Sequence, residues 1–229
     1  MDEPLVSVRG EAVLEVEPET AQLAVAVGAR DKHRDDTLRR LDERSAAALA
    51  LVASFGDAVE RVETDSVRIG PEFKDGRGHE RIAGYSAVVR HTLTVVDFTR
   101  IGDLVARLAE LELVDVAGPW WALRRDSPVH REARVAAARD AVQRAREYAA
   151  ALGSRLTTVV ELADTGLLGE SAAETPRMPA PQAAVPMRAM SASVAAPAPP
   201  TLDLEPARQV VRARVEARFR MTAPALDGE

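Results

Sequence analysis

Four histidines, His33, His79, His91 and His130, are the residues best suited to metal binding or proton transfer in this chain. No two stand at i, i+3 or i, i+4, the spacing that puts two ligands on one helix face. His33 and His130 fall at helix starts, His79 in a loop and His91 in a strand. A zinc site would have to be gathered from distant elements, so the pattern reads as solvated or capping histidines. Carboxylates are plentiful but scattered. Asp35, Asp36, Asp42 and Glu43 sit in the N-terminal half of a helix, where negative charge is stabilised by the helix dipole; an acid/base pair would need burial that these positions do not promise. No serine stands in a Gly-x-Ser-x-Gly elbow. The glycine-containing stretch from Gly70 to Gly78 lacks the lysine and hydroxyl ending of a phosphate loop and the dinucleotide fingerprint. Its Asp75-Gly76 pair suits a hairpin tip. The residues therefore predict no catalytic group, no cofactor and no metal.

Trp120-Trp121 is the most suggestive local feature. Adjacent side chains of a strand point to opposite faces, so both tryptophans are buried only where both faces are covered. Otherwise one is exposed and available to anchor a subunit or a ligand, as interface aromatics do.

Length and composition bound what these residues can belong to. The chain has 229 residues, 46% hydrophobic and 29% charged, which is ordinary for a globular protein. Aromatics are 3%, so the core must be built from Val, Leu and Ala. A net charge of −6 argues against nucleic-acid binding, which needs a basic footprint. The arginines of one helix, Arg131, Arg134, Arg139, Arg144 and Arg146, are interleaved with Glu132, Asp140 and Glu147 and read as a solvated face. The absence of cysteine removes disulfides and thiolate chemistry. The acidic start, Met1 to Leu5, is no secretory leader, and no stretch approaches the roughly 20 apolar residues of a membrane span. This predicts a cytoplasmic protein, or an envelope or periplasmic one had a leader been removed.

The elements follow from periodicity. Leu5 to Val16 alternates as a strand, with Val6, Val8, Ala12, Leu14 and Val16 on one face. Gly10, mid-strand, marks a bulge or a close backbone contact. Glu17 to Thr20 is a turn with Pro18 at a favoured position, and Ala21 to Arg30 is a second strand, making a hairpin with the first. Asp31 to Phe55 is a helix whose stripe is Leu38, Leu41, Ser45, Ala48, Val52 and Phe55, stopped by Gly56. Strands follow at 62–69 and 82–96, flanking the glycine loop. A short helix spans 98–111, a strand 113–123, and a third helix 128–152, with Pro128 in its first turn. The apolar stripe of that helix, Val135, Ala138, Val142, Ala145, Ala149 and Leu152, is rich in alanine and predicts close approach to a sheet. Gly153 ends it, and Arg155 to Ala163 is a strand. Residues 165–200, rich in Pro, Ala, Met and Ser, read as an extended or disordered crossing segment. The last strand, Gln209 to Met221, sets Val211, Ala213, Val215, Ala217, Phe219 and Met221 on one face and Arg212, Arg214, Arg218 and Arg220 on the other. It is predicted to share a sheet with the first strand, the arginines on the same side as Glu11 and Glu15.

This order resembles the SIMPL family, a domain of unknown function related to a bacterial periplasmic immunogenic protein. The residues that carry the resemblance are Val6 to Ala12 with the Glu17-Pro18-Glu19-Thr20-Ala21 turn and Ile82 to Ala87 around Gly84-Tyr85. They continue with Glu132-Ala133-Arg134, Ala145 to Gly153, and the proline-rich run before the terminal strand. The resemblance implies an α+β fold: a mostly antiparallel sheet or sheets of about seven strands, packed by three helices. It also implies a non-enzymatic role linked to oligomers. On this reading residues 1–164 with 201–222 form one α+β domain, and 223–229 a disordered tail.

The functional expectation is a structural or interaction protein that self-associates, with Trp120, Trp121, Arg212 and Arg214 as interface candidates and a further protein partner as a possibility. The rival is a module binding a small apolar ligand or peptide near the two tryptophans; an unrecognised enzyme ranks third. The composition of residues 165–200 generates a test: limited proteolysis is expected to cut there first, leaving fragments that stay associated. First cleavage within 31–55 or 128–152 would overturn the element assignment.

Overall fold

The computed structural model describes residues 3–74, 81–167, 202 and 204–224. His79, all but the first three residues of the proline-rich 165–200 stretch, and 225–229 of the tail lie outside these. The elements run β1 (Leu5–Val16), β2 (Thr20–Asp31), α1 (Arg34–Ala53), β3 (Val59–Lys74), β4 (Arg81–Val95), α2 (Ile101–Ala109), β5 (Val114–Ala122), α3 (Pro128–Ala151), β6 (Leu156–Asp164) and β7 (Gln209–Met221). This is an α+β fold with two antiparallel sheets, ordered β1-β7-β6 and β3-β4-β2-β5. The stretch expected as one domain falls into two compact units, one built on each sheet.

The unit of β1, α3, β6 and β7 brings the first and last strands together, as their charge patterns predict. The Met221 amide donates to the Pro4 carbonyl at 3.0 Å. Arg9 pairs with Glu216 at 3.0 Å and Arg214 with Glu11 at 3.4 Å, so the arginine row and Glu11 share the outward face. Val215, Ala217 and Phe219 are buried on the opposite face against Ala137, Ala141 and Ala145 of α3.

Two expectations for this unit are corrected. β1 makes no hairpin with β2; its hydrogen-bonded neighbour is β7, because the terminal strand offers both a matching apolar face and complementary charge. The buried face of α3 is also rotated from the expected stripe. Ala133, Ala137, Ala141, Ala145 and Ala149 are fully buried, while Val135 and Leu152 are 40% exposed. A row spaced strictly by four drifts about 40° per step around a helix, and the strands beneath it are twisted as well. Size decides the choice of face. A Cβ placed on Gly10 of β1 would lie 2.1 Å from the Ala137 carbonyl oxygen and 2.7 Å from the Ala141 Cβ. Helix and strand meet backbone to backbone there, and only alanine fits between them.

In the other unit α1 packs over β2 and β4, and α2 over β5. The core is Leu23, Val25 and Val27 of β2 with Val89, Leu93 and Val95 of β4, Leu41, Val52 and Phe55 from α1 and its end, and Ile101, Leu104 and Leu108 of α2. A Cβ on Gly84 of β4 would lie 2.7 Å from the Asp31 carbonyl oxygen, where the chain leaves β2 for α1; this accounts for the glycine before Tyr85. β3 is longer than expected. It runs through Lys74, with Gly70 to Lys74 paired to 81–86, so the first five residues of the expected loop belong to the strand.

Gly10→Ala is expected to destabilise the β1–β7–β6 unit by about 1–3 kcal/mol through overpacking. Phe219→Ala is expected to cost about 3–5 kcal/mol through lost burial and a cavity. Denaturant unfolding measures both; an unchanged midpoint for either would contradict the packing described.

Candidate interaction surface

The sequence-predicted residues separate into different environments. Trp121 points into the core of its unit and meets Phe98 edge to face, with ring centroids 4.9 Å apart. Trp120 points the other way and is 53% exposed. The register places it at one end of a row across the helix-free face of the sheet: Trp120 of β5 opposite Gln22 of β2, Gln22 opposite Thr94 of β4, and Thr94 opposite Arg61 of β3. The row beside Trp120 is thus polar. A surface concavity lined by Val135, Ala138, Val142, Arg139 and Arg146 runs along α3, in the other unit.

Arg212 and Arg214 project from the outward face of β7. Arg214 is held by Glu11, and Arg218 by Glu161 of β6 at 3.6 Å. These exposed pairs contribute about 0–1 kcal/mol each; the row clamps neighbouring strands more than it offers free charge. The α3 arginines are exposed, and Asp140 among them holds Arg144 at 2.8 Å and accepts the Glu11 backbone N–H at 2.9 Å, tying α3 to β1.

His91 overturns the expectation of a solvated histidine. It lies on the core face of β4 and is buried. Its Nε2 is 3.1 Å from Ser45 Oγ of α1 and its Nδ1 3.1 Å from Thr64 Oγ1 of β3. A neutral imidazole has one donor and one acceptor nitrogen, so one hydroxyl donates to the ring and the other accepts from it. Burial pushes the His91 pKa below the usual histidine value, opposed in part by the Asp65 carboxylate. Asp65 in turn accepts the Thr92 hydroxyl at 2.6 Å. The network joins α1, β4 and β3 and reads as a satisfied core histidine. Strand alternation already set His91 on the inner face with Val89 and Leu93; that parity was the available signal. Among the described residues no three His, Asp or Glu side chains gather as a metal cluster, and no helix is long and apolar enough to cross a membrane.

The feature that sequence reading did not single out is the edge of this sheet. β3 is an outermost strand, and α1 stops short of it. Its helix-side residues, opposite Val95, Leu93, His91, Val89 and Ala87, are Val59, Val62, Thr64, Val67 and Ile69. Strict alternation cannot put Val62 and Val67 on one face. Two bulges, between Val59 and Arg61 and between Thr64 and Ser66, reset the parity. Val62, Val67 and Ile69 consequently form one apolar strip, exposed at 42%, 57% and 38%. The opposite face carries Arg61, Glu63 and Arg68.

A comparison against protein families finds that the SIMPL model, described as a protein of unknown function (DUF541), matches residues 6–219. The chain belongs to the SIMPL family. A comparison with curated proteins finds no match. The SIMPL match spans both units, from the second residue of β1 to Phe219 in β7.

The buried histidine generates a pH prediction. Its folded-state pKa is lowered, so its contribution to stability is present above the unfolded value of about 6.5. That contribution is lost as pH falls through the folded value, because the unfolded chain then binds the extra proton. His91→Gln is expected to cost about 1–2 kcal/mol at neutral pH and to flatten the stability curve below pH of about 6.5. A variant that keeps the wild-type slope would assign the slope to another group.

Proposed function

We propose that this SIMPL chain is a non-enzymatic interaction protein that associates with copies of itself. The observation that carries the reading is the edge strand β3: sixteen residues long, paired on one side only among the described residues, and bearing the exposed strip of Val62, Val67 and Ile69. A strand edge with unpaired backbone groups is a template for another strand, and exposed apolar side chains beside it add burial on association. Among the described residues the buried ionisable side chain is His91, and both of its ring nitrogens are engaged by hydroxyls.

A second reading keeps Trp120 as a ligand platform. The row Trp120, Gln22, Thr94 and Arg61 favours a polar ligand that stacks on the indole and hydrogen-bonds along the row, rather than the apolar ligand suggested by the tryptophan pair alone.

Light scattering at a series of concentrations distinguishes the two. Self-association predicts a mass that is a multiple of 24.6 kDa and that falls on dilution. A monomer at every concentration would overturn it. The platform reading predicts that a bound ligand quenches the fluorescence of Trp120 in a Trp121→Phe background; in that reading Trp120→Ala abolishes binding and leaves stability within about 0.5 kcal/mol.

A further inference from the structure

Resting on the self-association reading, we propose that two copies of this chain pair antiparallel through β3, over residues 61–70 of each, in a register that sets Glu63 opposite Arg68. The bulge at Thr64–Ser66 selects this register. Residues paired across antiparallel strands share a face. On either side of the bulge the helix-side residues are Val62 and Thr64, then Val67 and Ile69; the opposite-side residues are Arg61 and Glu63, then Ser66, Arg68 and Gly70. The two groups have opposite parity in the numbering. Faces therefore match between two antiparallel copies when the bulges meet at the two-fold axis. Val62 then lies opposite Ile69, Thr64 opposite Val67, and Glu63 opposite Arg68, and the axis makes each pair occur twice.

Charge and composition agree with that geometry. The two helix-side pairs cover Val62, Val67 and Ile69, which are exposed in the single chain. Among the described residues Arg68 makes no ion pair, whereas sliding the register by two residues one way would set Arg61 against Arg68, a like-charge pair that disfavours association, and the other way would set Ser66 of one face against Val67 of the other. The Asp65 carboxylate, nearest the axis, is turned to Thr92 Oγ1 of its own sheet. The segment is bounded at one end by the bulge between Val59 and Arg61 and at the other by Pro71, which has no N–H to give to a ladder. The product is one continuous eight-stranded sheet with the α1 helices of both copies on one side.

The test uses the full chain. Arg68→Glu places two carboxylates opposite each other at both crossings and is expected to weaken self-association about tenfold or more. Glu63→Arg combined with Arg68→Glu restores opposite charges and is expected to restore the wild-type mass; circular dichroism checks that each variant folds. The chain has no cysteine, so Ser66→Cys reports the contact directly. It should form a disulfide-linked dimer under mild oxidation, while Ser7→Cys, on the exposed face of β1, should not. Loss of mass in Arg68→Glu with recovery in the double variant, or the Ser66 cross-link, supports the pairing. A wild-type chain that is oligomeric, but with Arg68→Glu unaffected and no Ser66 cross-link, overturns the β3 pairing and leaves self-association standing. A wild-type chain that is monomeric throughout overturns both.

Discussion

β1 and β6 make no ladder with each other; each is hydrogen-bonded to β7, which lies between them. That single arrangement governs the unit they form. Without β7 there is no sheet for α3 to cover, since Phe219, Ala217 and Val215 supply the buried face and the arginines supply the outer one. β7 is also among the most regularly alternating segments of the chain, because a strand paired on both sides and covered on one must hold strict parity along its whole length. The backbone contact of Gly10 with α3 belongs to the same constraint. A sheet built from the chain's two ends has little aromatic material to fill space, and it closes by bringing helix and strand into direct contact through alanines.

Much of this was legible in the residues. Alternation located β1 and β7, and their charges assigned them to one sheet and one outward face. Gly10 stood out as the site of a bulge or a close contact, and the latter is found; alternation put the two tryptophans on opposite faces but left open whether both faces are covered. What could not be read shares a common cause: local pattern does not specify which strand a strand will pair with. β1 and β2 are joined by a short turn, and a hairpin is the ordinary outcome of such proximity, yet long-range burial prevailed. The α3 face was displaced because valine is the stronger apolar signal in sequence, while the geometry at Gly10 selects by size.

The β3 strip escaped for a related reason. An apolar pattern with a five-residue gap, Val62 to Val67, looks like a broken alternation and gives no face. Bulges turn it into a continuous strip, and bulges have no reliable signature in a single sequence. His91 shows the opposite case, in which parity was readable but the partners were not. Ser45 comes from a helix and Thr64 from the far side of a bulge. The candidate interaction surface therefore depends on backbone irregularities, and the core on regularity.

The central place of β7 bears on the order of events during synthesis. The elements from β2 to β5 are contiguous in the chain and precede α3, β6 and β7, although Leu204 also packs against the core they form. β1 emerges before them and must wait, through the making of those elements and of α3 and β6, for a neighbour nearly two hundred residues later. During that interval its inner face of Val6, Val8, Leu14 and Val16 has no partner strand. Arg9, Glu11 and Glu15 on the other face keep a waiting strand charged and discourage premature pairing with the strands that finish first. Arg9 and Glu11, which clamp β1 to β7 in the folded unit, are thus also the charges that an unpartnered β1 would present.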